Sequence, residues 1–137
     1  MKRAKHRSDC PTNFTLEILG DSCSLLIIRD LAFKGKSYYG DFLDSDEKIS
    51  TNILANRLNM LEAERIIKKT QDPNKKSKII YRLTNKGLDL LPTLIEDTLW
   101  GAKYYPKHNA PKKFIIRARD NRVEFIKEIR TKLKGKI

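Results

Sequence analysis

The stretch KISTNILANRLNMLEAERIIKK, residues 48–69, decides the fold. Leu54, Leu58 and Leu61 recur at i, i+4 and i+7, the spacing of one helix face, and Ser50 stands ahead of them as a cap. The pattern predicts a helix over about 50–64. Off the leucine stripe lie Thr51, Asn52, Ala55, Asn56 and Asn59, with Arg57 among them. Asn is a poor helix former, so three of them on one helix need a reason. Asn side chains pair with adenine edges, Thr and Ser reach bases or phosphates, and Arg57 can reach a phosphate or a guanine. The plainer reading is a solvated helix face.

After Glu64, two isoleucine-rich runs flank DPNKKS, a turn signal with Pro and Asn, and this reads as a hairpin over about 66–83. Ile79, Tyr81 and Leu83 alternate with Ile80 and Arg82, as in a strand with one face on a core. Upstream, FTLEILGDSCSLLIIRDLAFKGK holds two helical patterns parted at Gly20-Asp21. Asp21 or Ser22 is the expected cap of the second and Gly35 its stop. That second helix is apolar around most of its girth and is expected to be central. SYYGDFLDSD forms a short helix capped by Ser37, with Tyr39, Phe42 and Leu43 inward.

Downstream, Thr84 caps a long amphipathic helix over about 85–105, expected to bend near Pro92 without breaking. Its Leu88, Leu91, Ile95 and Leu99 carry more apolar surface than a short wing covers. They are therefore the expected dimer interface, together with the region before Asp21. The tail from 106 to 137 is a basic extension with a helix over about 120–134. Asp120 is its expected cap, Val123, Ile126, Ile129 and Leu133 its apolar stripe, and Glu124-Lys127 and Glu128-Lys132 its surface pairs. The fold class is mainly α with a small β-hairpin wing, a winged helix-turn-helix with flanking dimerisation helices. In that arrangement the helix before the hairpin enters the DNA major groove.

Charge agrees with this placement. The 137 residues carry a net +12, and residues 48–86 hold ten basic and three acidic groups, whereas residues 10–47 stand at −4 and residues 87–102 at −3. Residues 1–9, a basic arm, hold four basic groups and one acidic; residues 103–137 hold twelve and three. A positive sector of this kind draws polyanions, although a lysine-rich surface also serves solubility. No apolar stretch approaches a membrane span, and the basic N-terminus has no apolar run behind it to make a secretion signal, so a cytoplasmic protein is expected. Two cysteines, Cys10 and Cys23, make neither a disulfide framework nor a zinc site, and His6 and His108 lack ligand spacing. No metal and no cofactor are expected. There is no phosphate loop, nucleophile elbow or Cys-His constellation, hence no catalytic residue to name.

Several stretches together resemble one family, the HxlR-type transcriptional regulators allied to the MarR group. They are Cys10-Pro11, LEILGDSCSLLIIRDL (16–31), GKSYYGDF (35–42), Ile49-Ser50, NRLNMLE (56–62), YRLTNKGLDLLP (81–92) and Trp100-Gly101. The resemblance spans Cys10 to Gly101, with a winged-helix domain taken as 10–105. It implies a homodimer that binds double-stranded DNA at a pseudo-palindromic operator, with the first and last helices as the interface. Cys23 replaces a usual Trp, Ala63-Glu64 replaces an acidic-Gly turn, and NKKSKIIY replaces a Pro-Pro-Arg wing. Wing contact is therefore assigned by charge and position to Lys75, Lys76 and Lys78. The DNA-binding set is Ser50, Thr51, Asn52, Asn56, Arg57, Lys75, Lys76 and Lys78. Cys10 matches the cysteine that some members use to sense oxidants or electrophiles, which makes a small-molecule or oxidant inducer a candidate partner. The basic residues Lys2, Arg3, Lys5, His6 and Arg7 favour its thiolate, and simple packing before Pro11 is the alternative. The second functional class is a basic RNA- or ribosome-associated winged-helix module, since the fold serves both uses.

Overall fold

The computed structural model describes residues 5–135; residues 1–4, including Lys2 and Arg3 of the basic arm, lie outside the described residues. Helices α1 (Pro11–Leu19), α2 (Ser24–Phe33), α3 (Tyr39–Leu43) and α4 (Thr51–Ala63) precede the antiparallel pair β1 (Ile67–Gln71) and β2 (Ile79–Leu83). After it come α5 (Asn85–Leu88), α6 (Leu91–Tyr104), α7 (Lys112–Asp120) and α8 (Arg122–Lys134). No helix among the described residues is long and apolar enough to cross a membrane.

Helix α2 is the hub. Ile27 and Ile28 are fully buried and Leu31 nearly so, and α1, α4, β2, α6 and α8 all pack against it. Asp21 lies outside the helix, yet its carboxylate accepts the backbone N–H groups of Cys23 (3.0 Å) and Ser24 (2.9 Å) and the Ser24 hydroxyl (2.6 Å). It thereby does the work of a cap. Gly35, at φ 66°, stops the helix in the left-handed conformation that glycine adopts without a Cβ penalty.

The cap of α3 is Tyr38, not Ser37. Asp41 reaches back to the N–H groups of Ser37 and Tyr38, and the Ser37 carbonyl accepts the Tyr81 N–H at 2.8 Å. Ser37 is thus drawn to the free edge of β2, where Tyr38 bridges to Ile80. The hairpin register pairs Ile67 with Leu83, Lys68 with Arg82 and Lys69 with Tyr81. Arg65, at φ 61°, turns the chain from α4 into β1.

The expected single helix over 85–105 is broken. Helix α5 ends at Leu88 and α6 begins at Leu91. Pro92 has no N–H to offer the Leu88 carbonyl and its ring crowds that oxygen, so the first turn of a new helix is its natural place. Gly87 is fixed by contact, because a Cβ there would lie 2.3 Å from the Ile66 carbonyl oxygen.

The extension also differs from its reading. It forms two helices, and the cap position of α8 is Asn121, while Asp120 is the last residue of α7 and pairs with Arg119. Helix α7 lies outside the single helix expected over about 120–134, and it packs Phe114 and Ala118, four residues apart, on one face. Phe114, Ala118 and Phe125 form a small core with Ile95, and Ile126, Ile129 and Leu133 pack on the main core. Phe114 stands edge to face between Phe33 (4.9 Å between centroids) and Phe125 (5.1 Å). Val123 stays exposed, and Glu128 pairs with Arg117.

This packing corrects the interface expectation. Leu88, Leu91 and Ile95 have no exposure within one chain, and Leu99 packs into the cluster around Phe125. The apolar face of α5 and α6 is covered intramolecularly. Large apolar side chains left open include Phe14 and Leu16 on α1 and Trp100 and Tyr104 on α6, followed by Tyr105; Ile53, Ile79, Ile116 and Val123 are also exposed.

Candidate nucleic-acid interface

Helix α4 is seated by its leucines: Leu54, Leu58 and Leu61 retain 0%, 3% and 0% exposure. Burial of three leucines fixes the rotation of the helix, and that rotation sends Thr51, Asn52, Ala55, Asn56 and Asn59 to solvent. Ser50 caps the start, accepting the Ile53 N–H at 3.3 Å, and the Tyr39 hydroxyl donates to the Thr51 carbonyl at 3.2 Å. The open end of α4 therefore carries small polar groups and a positive dipole, both suited to phosphate.

Arg57 is not free. It donates to Asn56 Oδ1 from Nε (3.2 Å) and from a terminal nitrogen (2.7 Å), and its other terminal nitrogen lies 3.4 Å from Asp21. Asn56 keeps its amide N–H groups available, whereas the guanidinium is committed to the helix-capping carboxylate. Burial pushes the Asp21 carboxyl up, and the hydrogen bonds from Ser24 and Cys23, with Arg57 nearby, bring it below its usual value.

A polar network holds the approach to α4. Asp30 has no exposure; it accepts Arg29 at 2.8 and 3.0 Å and the Ser45 hydroxyl at 2.5 Å, and the Lys36 ammonium lies 3.7 Å away. Arg29 also grips Glu47 with two N–H groups at 2.8 and 2.9 Å, a bidentate pair. That grip ties the α3–α4 loop to α2 three residues before Ser50. The Arg29–Asp30 dipeptide was passed over in the sequence because α2 reads as apolar nearly all round.

The wing carries Lys75, Lys76 and Lys78, all exposed. Its turn is organised by Asp72, which accepts the Tyr38 hydroxyl at 2.6 Å and the Asn74 N–H at 2.8 Å, while its own N–H donates to the Lys78 carbonyl at 2.9 Å. The Tyr38 hydroxyl first, then the Asn74 N–H, hold the Asp72 carboxyl below its ordinary value. The Lys78 ammonium lies 5.0 Å from the Tyr38 ring centroid. Tyr38 is thus a latch between wing and body that sequence reading missed; the Asp before Pro in QDPNKK was the legible half. The structure brings the wing lysines and the α4 face onto elements joined by a single turn at Arg65 and leaves Arg57 paired away.

Cys10 is exposed and occupies the cap position of α1. The backbone N–H of Asn13 first, then that of Thr12, lower its thiol below the ordinary value. In the described part of the basic arm, His6 and the Arg7 backbone N–H are turned onto Glu17 at 2.6 and 3.0 Å.

The sequence profile of the HxlR-like helix-turn-helix family matches residues 18–109, so α7 and α8 lie beyond it. The chain is 35% identical over 86 residues to the HTH-type transcriptional regulator sll1512 of Synechocystis sp.. That match covers 63% of each protein, so the chain spans a little under two thirds of this relative's length. Among solved structures, PA1607, a candidate transcription factor, is 34% identical with a TM-score of 0.68, covering 77% of this chain and 73% of that one. The reduced form of the transcriptional regulator YodB from B. subtilis is 27% identical with a TM-score of 0.57, covering 74% and 100%.

The Arg29 grip makes a pH prediction. Arg29 hydrogen bonds hold Glu47 at about 2, against roughly 4.3 for a free glutamate. A depressed folded pKa contributes stability that is complete above the free value and is lost as pH falls through the folded one. Denaturation midpoints measured from pH 6 downward should therefore fall between roughly 4.5 and 2. Glu47→Gln should flatten this acid limb without abolishing it, since Glu17 is also held at about 2. An acid limb equally steep in the variant counts against the pair.

Proposed function

The chain belongs to the HxlR-like helix-turn-helix family, and on that footing we propose that it is a dimeric, sequence-specific DNA-binding transcriptional regulator. The observation that carries this is the seating of α4: a buried leucine stripe turns an Asn- and Thr-bearing face outward, one turn from a hairpin whose tip exposes Lys75, Lys76 and Lys78. Asn52 and Asn56 read base edges; Ser50, Thr51, Lys75, Lys76 and Lys78 hold the backbone. Arg57 joins them only by leaving Asp21, which makes it a weaker reader than its position suggests.

Asn52→Ala and Asn56→Ala should each cost roughly 1–3 kcal/mol on a site recovered by selection from random duplexes, and little on unselected DNA. Lys75→Ala with Lys76→Ala should weaken binding to all duplexes and make the salt dependence shallower. Equal losses on both DNAs for all four changes would overturn the division into readers and holders. Preference for structured RNA over duplex DNA at matched salt would overturn the DNA reading itself.

Dimerisation runs through α1 and the second half of α6, where exposed aromatic and apolar side chains cluster as Phe14 with Leu16 and as Trp100 with Tyr104. Trp100 is 70% exposed with the Tyr104 ring tilted against it, centroids 5.3 Å apart, an arrangement that favours a partner surface over water. A two-fold pair sets two α4 helices to read the halves of a pseudo-palindrome about one DNA turn apart. Trp100→Glu should convert the sedimenting species from dimer to monomer while far-UV circular dichroism is unchanged. A native chain that sediments as a monomer at micromolar concentration removes this part of the proposal.

Cys10 is the candidate sensor of an oxidant or electrophile, supported by its exposure and by the N–H groups that favour its thiolate. Peroxide should change affinity for the selected site, reversibly on adding thiol, and Cys10→Ser should abolish the change with reduced-state binding intact. A response that persists in Cys10→Ser assigns the sensing elsewhere.

A further inference from the structure

Residues 112–134 of α7 and α8 carry nine basic and three acidic side chains, and the two basic residue types divide between two tasks. All four arginines are in ion pairs: Arg117 with Glu128, Arg119 with Asp120, Arg122 with Glu96 on α6 and Arg130 with Asp89 in the α5–α6 turn. Among the described residues the five lysines, Lys112, Lys113, Lys127, Lys132 and Lys134, form no ion pair and are exposed. Arg122 and Arg130 tie the extension to the body, Arg117 and Arg119 pair within it, and the lysines are left facing solvent.

The docking brings the last turn of α8 to the wing. Leu133 lines one small cavity together with Lys36, Tyr81, Arg82 and Leu83, and Lys132 and Lys134, its neighbours on the helix, are exposed to either side of that contact. On that hairpin Lys68 lies directly opposite Arg82 and on the same sheet face. Like charges in this register repel. Neither forms an ion pair among the described residues, and Lys36 is already committed to Asp30 and Ser45. A helix dipole accounts for lysines in a last turn, but it does not account for two cations paired across a hairpin. The hairpin and the end of α8, far apart in sequence and joined through the Leu133 contact, thus carry four cations that form no ion pair among the described residues, and what such a surface fits is a row of phosphates.

We infer that Lys68 and Arg82 of the wing and Lys132 and Lys134 of α8 form a second phosphate-binding surface, which grips the DNA backbone beyond the base pairs that α4 reads. This rests on the DNA-binding reading and deepens it: the extension lengthens the footprint without adding sequence information.

The test uses the full chain and two duplexes, the shortest selected site and the same site with one helical turn, about 10 base pairs, added at each end. The native chain should bind the longer duplex at least tenfold more tightly. Lys68→Ala/Lys132→Ala/Lys134→Ala should lose that gain, keep its affinity for the short duplex, and lower the salt slope on the long one by about 2–3. Lys112→Ala/Lys113→Ala, which removes charge from the start of α7, should keep the gain. Equal affinity of the native chain for both lengths overturns the inference, as does a gain that survives the triple change or is lost equally in the α7 variant. Failure of the native chain to bind either duplex overturns the DNA-binding reading beneath it and is distinguishable on that ground.

Discussion

A carboxyl group with no solvent exposure governs what α4 can present. Asp30 on the central helix is closed in by Arg29 and Ser45, with Lys36 near, and Arg29 extends the same network to Glu47. Burying such a group is unfavourable unless its partners are complete; deleting one partner of a buried charged pair costs on the order of 3–5 kcal/mol. The network contributes direction more than net stability. It fixes where the loop leaves α2, hence where Ser50 begins α4, and the leucine stripe then fixes which side chains of α4 face outward.

The parts of the fold legible in the sequence were those set by local periodicity. Leu54, Leu58 and Leu61 specify a helix and its buried face through spacing alone, and DPNKKS between isoleucine runs specifies a hairpin through turn chemistry. Long-range contacts escaped. Nothing near Ser37 announces that its carbonyl will meet β2, nor that Tyr38 will hold Asp72 34 residues away. The apolar stripe of α5 and α6 reads as a surface needing cover, and Leu88, Leu91 and Ile95 are covered within the chain while Leu99 stays half-buried. A stripe says that something must bury it, not whether the burying element belongs to the same chain.

The same distinction separates the readable from the unreadable part of the candidate interface. Exposure of Asn52 and Asn56 follows from helix phase. The engagement of Arg57 with Asp21 does not, because it depends on how α2 and α4 cross. Pairings between elements far apart in sequence also organise the extension, where Arg122 and Arg130 reach acidic groups on and before α6 and leave the lysines unmatched.

The cover that α8 gives α2 also bears on how the chain comes into being. Ile126, Ile129 and Leu133 seal a helix made about a hundred residues earlier, and Phe114 and Phe125 complete a ring cluster begun by Phe33. During synthesis the winged body is finished while one flank of its central helix still lacks its lid. Contacts of such wide sequence separation form late, and an apolar flank left open in the interval invites association with other nascent chains. The Arg122 and Arg130 pairs that draw α7 and α8 home act on maturation as much as on the finished molecule, and a truncated chain ending at Tyr105 inherits the open flank permanently.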